Sequence, residues 1–321
     1  MAKLLNAKQT TLKDRVAVSG VGVHSGKPVE MILHPADANT GIVFLRVDRE
    51  KKTEFEIKGD YSSVIDTRLC TIVGHPEKGM VATIEHLMAA LRGYGVDNVV
   101  VEIDGDEVPV MDGSARAYID AIDQVGLKEL PYSRRYIRVL KPVRVQNGDS
   151  VGELLPYEGQ RFDVTIAFES EAIGVQHFDG EMTPDVFKRE ISLARTFGFM
   201  SDVERLWAAG YALGSSLENS VVIDNDQKIV NPDGLRYTDE FVRHKTLDAV
   251  GDLSLAGAPL LAHYRSYKGG HKLNFNMLEA LFADASNWEW VEAVPAFRKS
   301  ARVGTSVDTA TVRVVLGPET N

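Results

Sequence analysis

Residues 83–103, TIEHLMAALRGYGVDNVVVEI, change their periodicity once. Ile84, Leu87, Met88 and Leu91 recur at the spacing of one helix face, and the run from Val99 to Ile103 has the apolar character of a buried strand. Thr83 is placed to cap the helix, which puts His86 in its first turn, and Gly93 and Gly95 end it. A second copy lies downstream. His244, like His86, is followed seven residues later by a glycine (Gly251 and Gly93) and then by an apolar strand. Upstream of each, LHPADANTGIVF (33–44) and LLPYEGQRFDVTIAF (154–168) show a strand, a turn containing proline, and a strand. The period is too long for a solenoid, so the pattern predicts a duplicated α+β domain with the active site between the copies; chance similarity is the alternative.

Working outward, residues 15–47 alternate as strands do, interrupted by the turn-rich GVGVHSG (20–26) and HPADANTG (34–41). After MDGS (111–114), Tyr118, Ile119, Ile122 and Val125 mark a second helix that Gly126 closes. LKELPYSRR (127–135) is the expected linker. Strands resume through Phe168, a helix starts at Thr183 with Pro184 in its first position, and another spans roughly 238–250. Between Thr196 and Val221, SDVERLWAAG (201–210) predicts a helix with a capping box from Ser201 and Glu204, flanked by strand-like residues. The expected organisation is two similar layered sheet-and-helix domains, a duplicated β-α-α-β sandwich with an insert in each. They are an N-terminal domain over 1–130, a C-terminal domain over 131–300 with a βαβ insert near 197–222, and a tail over 301–321.

Composition narrows the function. A chain of 321 residues with 44% hydrophobic content can bury two cores. Its formal charge of −10 argues against nucleic acid, whose phosphates need clustered Lys and Arg. The single cysteine, Cys70, allows no intrachain disulfide and no cysteine-based metal cluster, and it reads as a small buried residue in a reducing compartment. No apolar run suits a signal peptide or a membrane span, so a cytoplasmic protein is expected.

The chemistry resides in the histidines and acids. Residues four apart on a helix project from one face, so His244 and Asp248 can grip one ion. With one more imidazole they give three ligands of types that suit zinc, leaving a fourth position open, as catalytic sites require. Iron(II) and cobalt(II) accept the same set. Glu85, beside His86, is placed to act as a base. His271 follows two glycines that let backbone approach a ligand closely. Each piece alone has a plainer reading: a solvated helix face for His244 and Asp248, a satisfied helix-start histidine for His86, and a loop histidine for His271.

TIEHLMAAL (83–91), MDGSA (111–115), ARTFGFM (194–200), DEFVRHKTLDAVGDL (239–253) and GHKLN (270–274) together closely resemble the UDP-3-O-acyl-N-acetylglucosamine deacetylases, the LpxC family, from about residue 8 to about 290. That family carries out the committed step of lipid A synthesis in Gram-negative bacteria. The resemblance implies a fold of two similar α+β domains, each bearing an insert. It also implies Zn2+ held by His86, His244 and Asp248, with Glu85 as general base, His271 as the acid that protonates the leaving amine, and Asp252 orienting His271. Thr196 matches a hydroxyl that stabilises the oxyanion, and Lys245 a residue near the nucleotide-sugar side. Asp112 matches a carboxylate that holds a ligand imidazole, its alternative being a helix cap. Phe168 matches an aromatic that stacks on uracil, although a strand more often buries such a ring.

Phe197 and Cys70 join Phe168 among the implied substrate-binding positions, and Val203, Ala212, Ser216 and Leu217 match the lining of an acyl passage. There GYALGSSLEN (210–219) departs from commoner members, and GGHK replaces a frequent Ser-Gly-His, leaving the histidine in place. The implied reaction removes the N-acetyl group from a nucleotide-sugar lipid, with the chain acting as a monomer. A zinc amidase for another N-acyl sugar and a binding module with structural zinc are the competing readings. The second would need a fourth protein ligand.

Overall fold

The computed structural model describes residues 7–48, 52–75, 77–294 and 311–314. Two sheets of the same topology organise it. In the first, five strands lie in the spatial order 16–21, 28–35, 99–103, 42–48, 53–58. In the second, the corresponding order is 143–147, 150–156, 260–267, 160–167, 175–181. The strand that comes last in the chain in each set is central, antiparallel to the second strand and parallel to the third. A parallel neighbour requires a crossover, and each half uses a helix for it. The duplication expected from the two His-to-Gly patterns is therefore present strand for strand. The second sheet extends through Arg135–Val139, Trp288–Val294 and Thr311–Val314. That last strand falls in the expected tail, most of which lies outside the described residues.

Among the described residues, six α-helices accompany the sheets: α1 (Glu85–Tyr94), α2 (Arg116–Val125), the single turn α3 (Pro184–Val186), α4 (Met200–Ala208), α5 (Glu240–Leu253) and α6 (His271–Phe282). α1 and α5 occupy equivalent positions before the two central strands and pack on each other. Residues 85–93 of α1 are all buried, because α5, α2 and the segment around Phe187 pack about the helix. The two inserts also fall in equivalent places, between the fourth strand and the central helix. The first is a three-stranded sheet (Val64–Asp66, Ile72–His75, Gly79–Val81). In the second, Phe197–Phe199 pairs in parallel with Val221–Ile223 across α4.

Several local expectations differ from the structure. Residues 127–133 are not a linker but a strand paired with Lys8–Leu12, its buried Leu130 facing inward. Thr83 does not cap α1: its φ of 56° is left-handed and its hydroxyl donates to Glu107 Oε1 at 2.9 Å. Gly95, at φ 96°, ends α1 as expected. Gly93 is internal, as is Gly251 in α5, and both serve close packing. A Cβ on Gly93 would stand 2.4 Å from the Phe187 ring. α4 starts one residue before Ser201 without a side-chain cap. Thr183 does cap α3, accepting from the Val186 amide.

Candidate active site

The N-terminus of α1 and the middle of α5 meet between the two sheets, and His86, His244 and Asp248 converge there with ligand atoms within 4.8 Å of one another. The Nε2 atoms of His244 and His86 lie 3.3 and 3.6 Å from Asp248 Oδ1. All three residues are buried. Asp248 Oδ1, which faces both imidazoles, is buried with no hydrogen-bond partner, a cost that a bound cation would relieve. His244 Nδ1 lies 3.0 Å from the Ala194 carbonyl, so it carries the ring proton and leaves Nε2 as a free donor to a metal. Burial pushes the His244 pKa down to about 4, against the pull of Asp248. Burial also works against the Asp248 carboxylate, yet His244 and Lys245 more than offset it and hold Asp248 well below the usual carboxylate range. Two imidazoles with an ionised carboxylate make a donor set that fits a divalent metal, and no fourth protein ligand completes the cluster among the described residues.

Two further titratable groups, Glu85 and His271, stand beside this triad. Glu85, buried, is raised above the ordinary glutamate value by desolvation. Its Oε2 accepts from the Thr71 amide at 3.1 Å and its Oε1 lies 3.8 Å from His271 Nε2. His271 opens α6, and its Nδ1 meets Asp252 Oδ2 at 2.9 Å. Burial disfavours the imidazolium, but Asp252 and then Glu85 outweigh it and lift the His271 pKa to about 9. Asp252 lies one turn beyond Asp248 on α5 and points to His271. Its remaining bonds come from Asn274 Nδ2 at 2.8 Å and Thr71 Oγ1 at 2.6 Å. Neither Thr71 nor Asn274 stood out in sequence, since nothing local marks a threonine whose partner is 181 positions away.

A cleft of about 390 Å³ runs over these groups, lined by Glu85, His86, His244, Lys245, Asp248 and His271 together with Thr196, Phe168, Phe197, Val203 and Ala212. Thr196 is fixed through its backbone: its amide donates to Gly113 O and its carbonyl accepts from the Val221 amide. Gly113, at φ 78°, cannot be replaced, because a Cβ would stand 1.9 Å from Asn219 O. The preceding Arg195 is locked to the wholly buried Glu240 at the start of α5. Phe168 is 37% exposed at the end of its strand, not in the core, with its ring edge-on to Phe197 at 5.7 Å. Lys245 lines the cleft and donates to Asp248 Oδ2 at 2.6 Å.

Four implied positions are placed otherwise. Asp112 holds no imidazole: it caps Ser114 at 2.8 Å and pairs with Arg236 at 2.7 Å, while the Ala194 carbonyl takes the His244 proton. A guanidinium that also binds Leu193 O outcompetes a neutral ring for that carboxylate. Ser216 and Leu217 do not line the cleft. Ser216 stabilises its own turn with Asn219 and Glu218, and Leu217 faces out; Ser215 and Ser220 are the lining residues. Cys70 is also off the cleft, which its neighbour Leu69 lines, and burial pushes its thiol up to about 12. His24, within the turn-rich GVGVHSG, lines the cleft and passed unnoticed in sequence as a turn residue.

The family model described as LpxC, UDP-3-O-acyl N-acetylglycosamine deacetylase, matches residues 9–283. Proteins of Brucella ovis and Brucella melitensis biotype 2, each called UDP-3-O-acyl-N-acetylglucosamine deacetylase, are 52% identical over 289 residues, covering 90% of this chain and all of theirs.

Proposed function

Because the chain belongs to the UDP-3-O-acyl-N-acetylglucosamine deacetylase family, we propose that it hydrolyses the acetamide on C2 of UDP-3-O-(3-hydroxyacyl)-N-acetylglucosamine, releasing acetate and a free amine for lipid A synthesis. The observation that supports a hydrolytic site most directly is the placement of Glu85 and His271, 3.8 Å apart, beside a buried His-His-Asp cluster.

The roles follow from charge and position. Zinc, held by His86, His244 and Asp248, would supply Lewis acidity at the substrate carbonyl and at the attacking water. Glu85 takes the proton from that water through Oε1, because its Oε2 is held by the Thr71 amide. Its raised pKa makes it a stronger base than an exposed glutamate. As water adds to the carbonyl carbon, the Thr196 hydroxyl donates to the developing oxyanion. The C–N bond then breaks with its electrons passing to nitrogen, and His271 Nε2 delivers the proton that makes the amine. Raised to about 9 by Asp252, His271 carries that proton at neutral pH. Asp252 keeps it aimed, and Lys245 anchors Asp248.

Phe168, exposed and ring-shaped, suits a base-stacking role at one end of the cleft. Phe197, Val203 and Ala212 supply apolar wall for the acyl chain. We take the two halves, 1–130 and 131–300, as the domains that contribute Glu85 with His86 and His244 with Asp248 and His271. No helix among the described residues is long and apolar enough to cross a membrane; we place the enzyme in the cytoplasm as a monomer. The test is metal analysis of the purified protein together with acetate release from acylated and non-acylated UDP-sugars. Turnover confined to the 3-O-acyl substrate supports this reading, and equal turnover of both, or none, refutes it.

A further inference from the structure

Thr71 touches Glu85 and also Asp252, the carboxylate that holds His271, and the two come from different halves of the chain. Its backbone amide donates to Glu85 Oε2 at 3.1 Å, and its hydroxyl donates to Asp252 Oδ1 at 2.6 Å. It is 1% exposed, so neither bond is shared with solvent. The residue immediately precedes the strand Ile72–His75 of the first insert, and its carbonyl accepts from the amide of Ile84, just ahead of α1. One residue is thus tied at once to the start of α1 and to the face of α5.

The consequence for Asp252 is specific. Its Oδ2 serves His271 Nδ1 and Asn274 Nδ2, and Tyr264 in turn donates to Asn274 Oδ1 at 2.6 Å. That leaves Oδ1 for the Thr71 hydroxyl alone. Without it the carboxylate would keep two donors on one oxygen and a buried lone pair with none, and would be free to turn about its Cβ–Cγ bond. Turning Asp252 turns His271, whose Nε2 faces Glu85 Oε1. A shift of this kind near a reacting bond is costly because catalysis depends on sub-ångström placement.

We propose that Thr71 is a positioning residue that sets the separation of the general base Glu85 and the general acid His271 through its hydrogen bond to Asp252. The proposal rests on the roles given above to Glu85 and His271. The hydroxyl carries the effect; the methyl group only fills space.

The experiment compares Thr71→Val, which keeps the shape and loses the hydroxyl, with Thr71→Ser, which keeps the hydroxyl. Each is measured for kcat, KM, bound metal and Tm, alone and combined with Asp252→Asn, using the 3-O-acyl UDP-sugar as substrate. The expected result is a fall in kcat of about 10- to 100-fold in Thr71→Val, with KM and metal content unchanged. Thr71→Ser should recover to within about threefold, and Asp252→Asn should cost far less in the Thr71→Val background than in wild type. Wild-type kcat in Thr71→Val, equal losses in Val and Ser, additive losses with Asp252→Asn, or loss of metal or fold in Thr71→Val would each overturn the proposal. Failure of the roles themselves shows separately, as a wild-type protein that does not turn over the substrate or a Glu85→Gln variant that keeps full activity.

Discussion

Gly251 of α5 lies against the main-chain carbonyl of Glu85 at the start of α1, where a Cβ would stand 2.0 Å from that oxygen. The two helices that carry the candidate metal ligands are held at a separation that only a glycine allows, so packing and the proposed chemistry meet at one contact.

Gly251→Ala should therefore force α5 away from α1. The expected loss is about 3 kcal/mol of stability or more, at the upper end of overpacking in a tight core. Thermal unfolding, with metal content measured in parallel, checks it. An unchanged Tm would show that the interface yields easily.

Glu85→Gln keeps size and the bond from the Thr71 amide while removing the base. Metal content should persist and kcat should fall by roughly 10²–10⁴. Loss of metal in this variant would make Glu85 a ligand and end its assignment as base.

His244→Ala and Asp248→Ala each delete one of three protein donors from the buried cluster. Both should lose tight metal binding, measured by elemental analysis after dialysis, without unfolding. Stoichiometric metal in both would refute the cluster as the metal site.

The pH dependence of kcat/KM should be bell-shaped. With Glu85 as the proposed base, activity would require it deprotonated, and burial raises its pKa, so the acid limb should lie above the ordinary carboxylate value. It also needs His271 protonated, so activity should fall as pH rises through about 9. His271→Ala should remove the alkaline limb. The same shift acts on stability: a pKa raised on folding contributes fully below the ordinary histidine value of 6.5 and is lost as pH rises through about 9. A rate that climbs to a flat alkaline plateau would dismiss His271 as the acid.

Hydroxamates can place two oxygens at an open metal position, with an apolar tail along Val203 and Ala212. Long tails should improve inhibition by about 0.8 kcal/mol per buried CH₂ until the passage ends. Ala212 sits at φ 54°, where a larger side chain adds backbone strain, so Val203→Phe on α4 is the cleaner block. It should weaken long-tailed hydroxamates and leave acetohydroxamate unaffected. An unchanged ratio of the two inhibition constants would mean that α4 does not line the passage.

The sequence alone determined the elements and the donor types. Helical spacing around His86 and His244, the glycine stops at Gly95 and Gly126, and the proline-led start at Thr183 are set by local sterics and periodicity. The duplicated pattern around His86 and His244 likewise foretold a repeat, because each copy must build the same sheet. What the tertiary structure decided is which groups meet. Thr71 reaching Asp252, the Ala194 carbonyl accepting from His244, Arg236 claiming Asp112, and Leu127–Ser133 pairing with the N-terminal strand all join residues 50 to 181 positions apart. Turn-rich stretches concealed the side chains that would face inward, so Ser215 and Ser220 rather than Ser216 and Leu217 line the cleft. Hydrogen-bond partners are chosen by geometry after packing, and a linear pattern carries the period of a helix but not the direction of its neighbours.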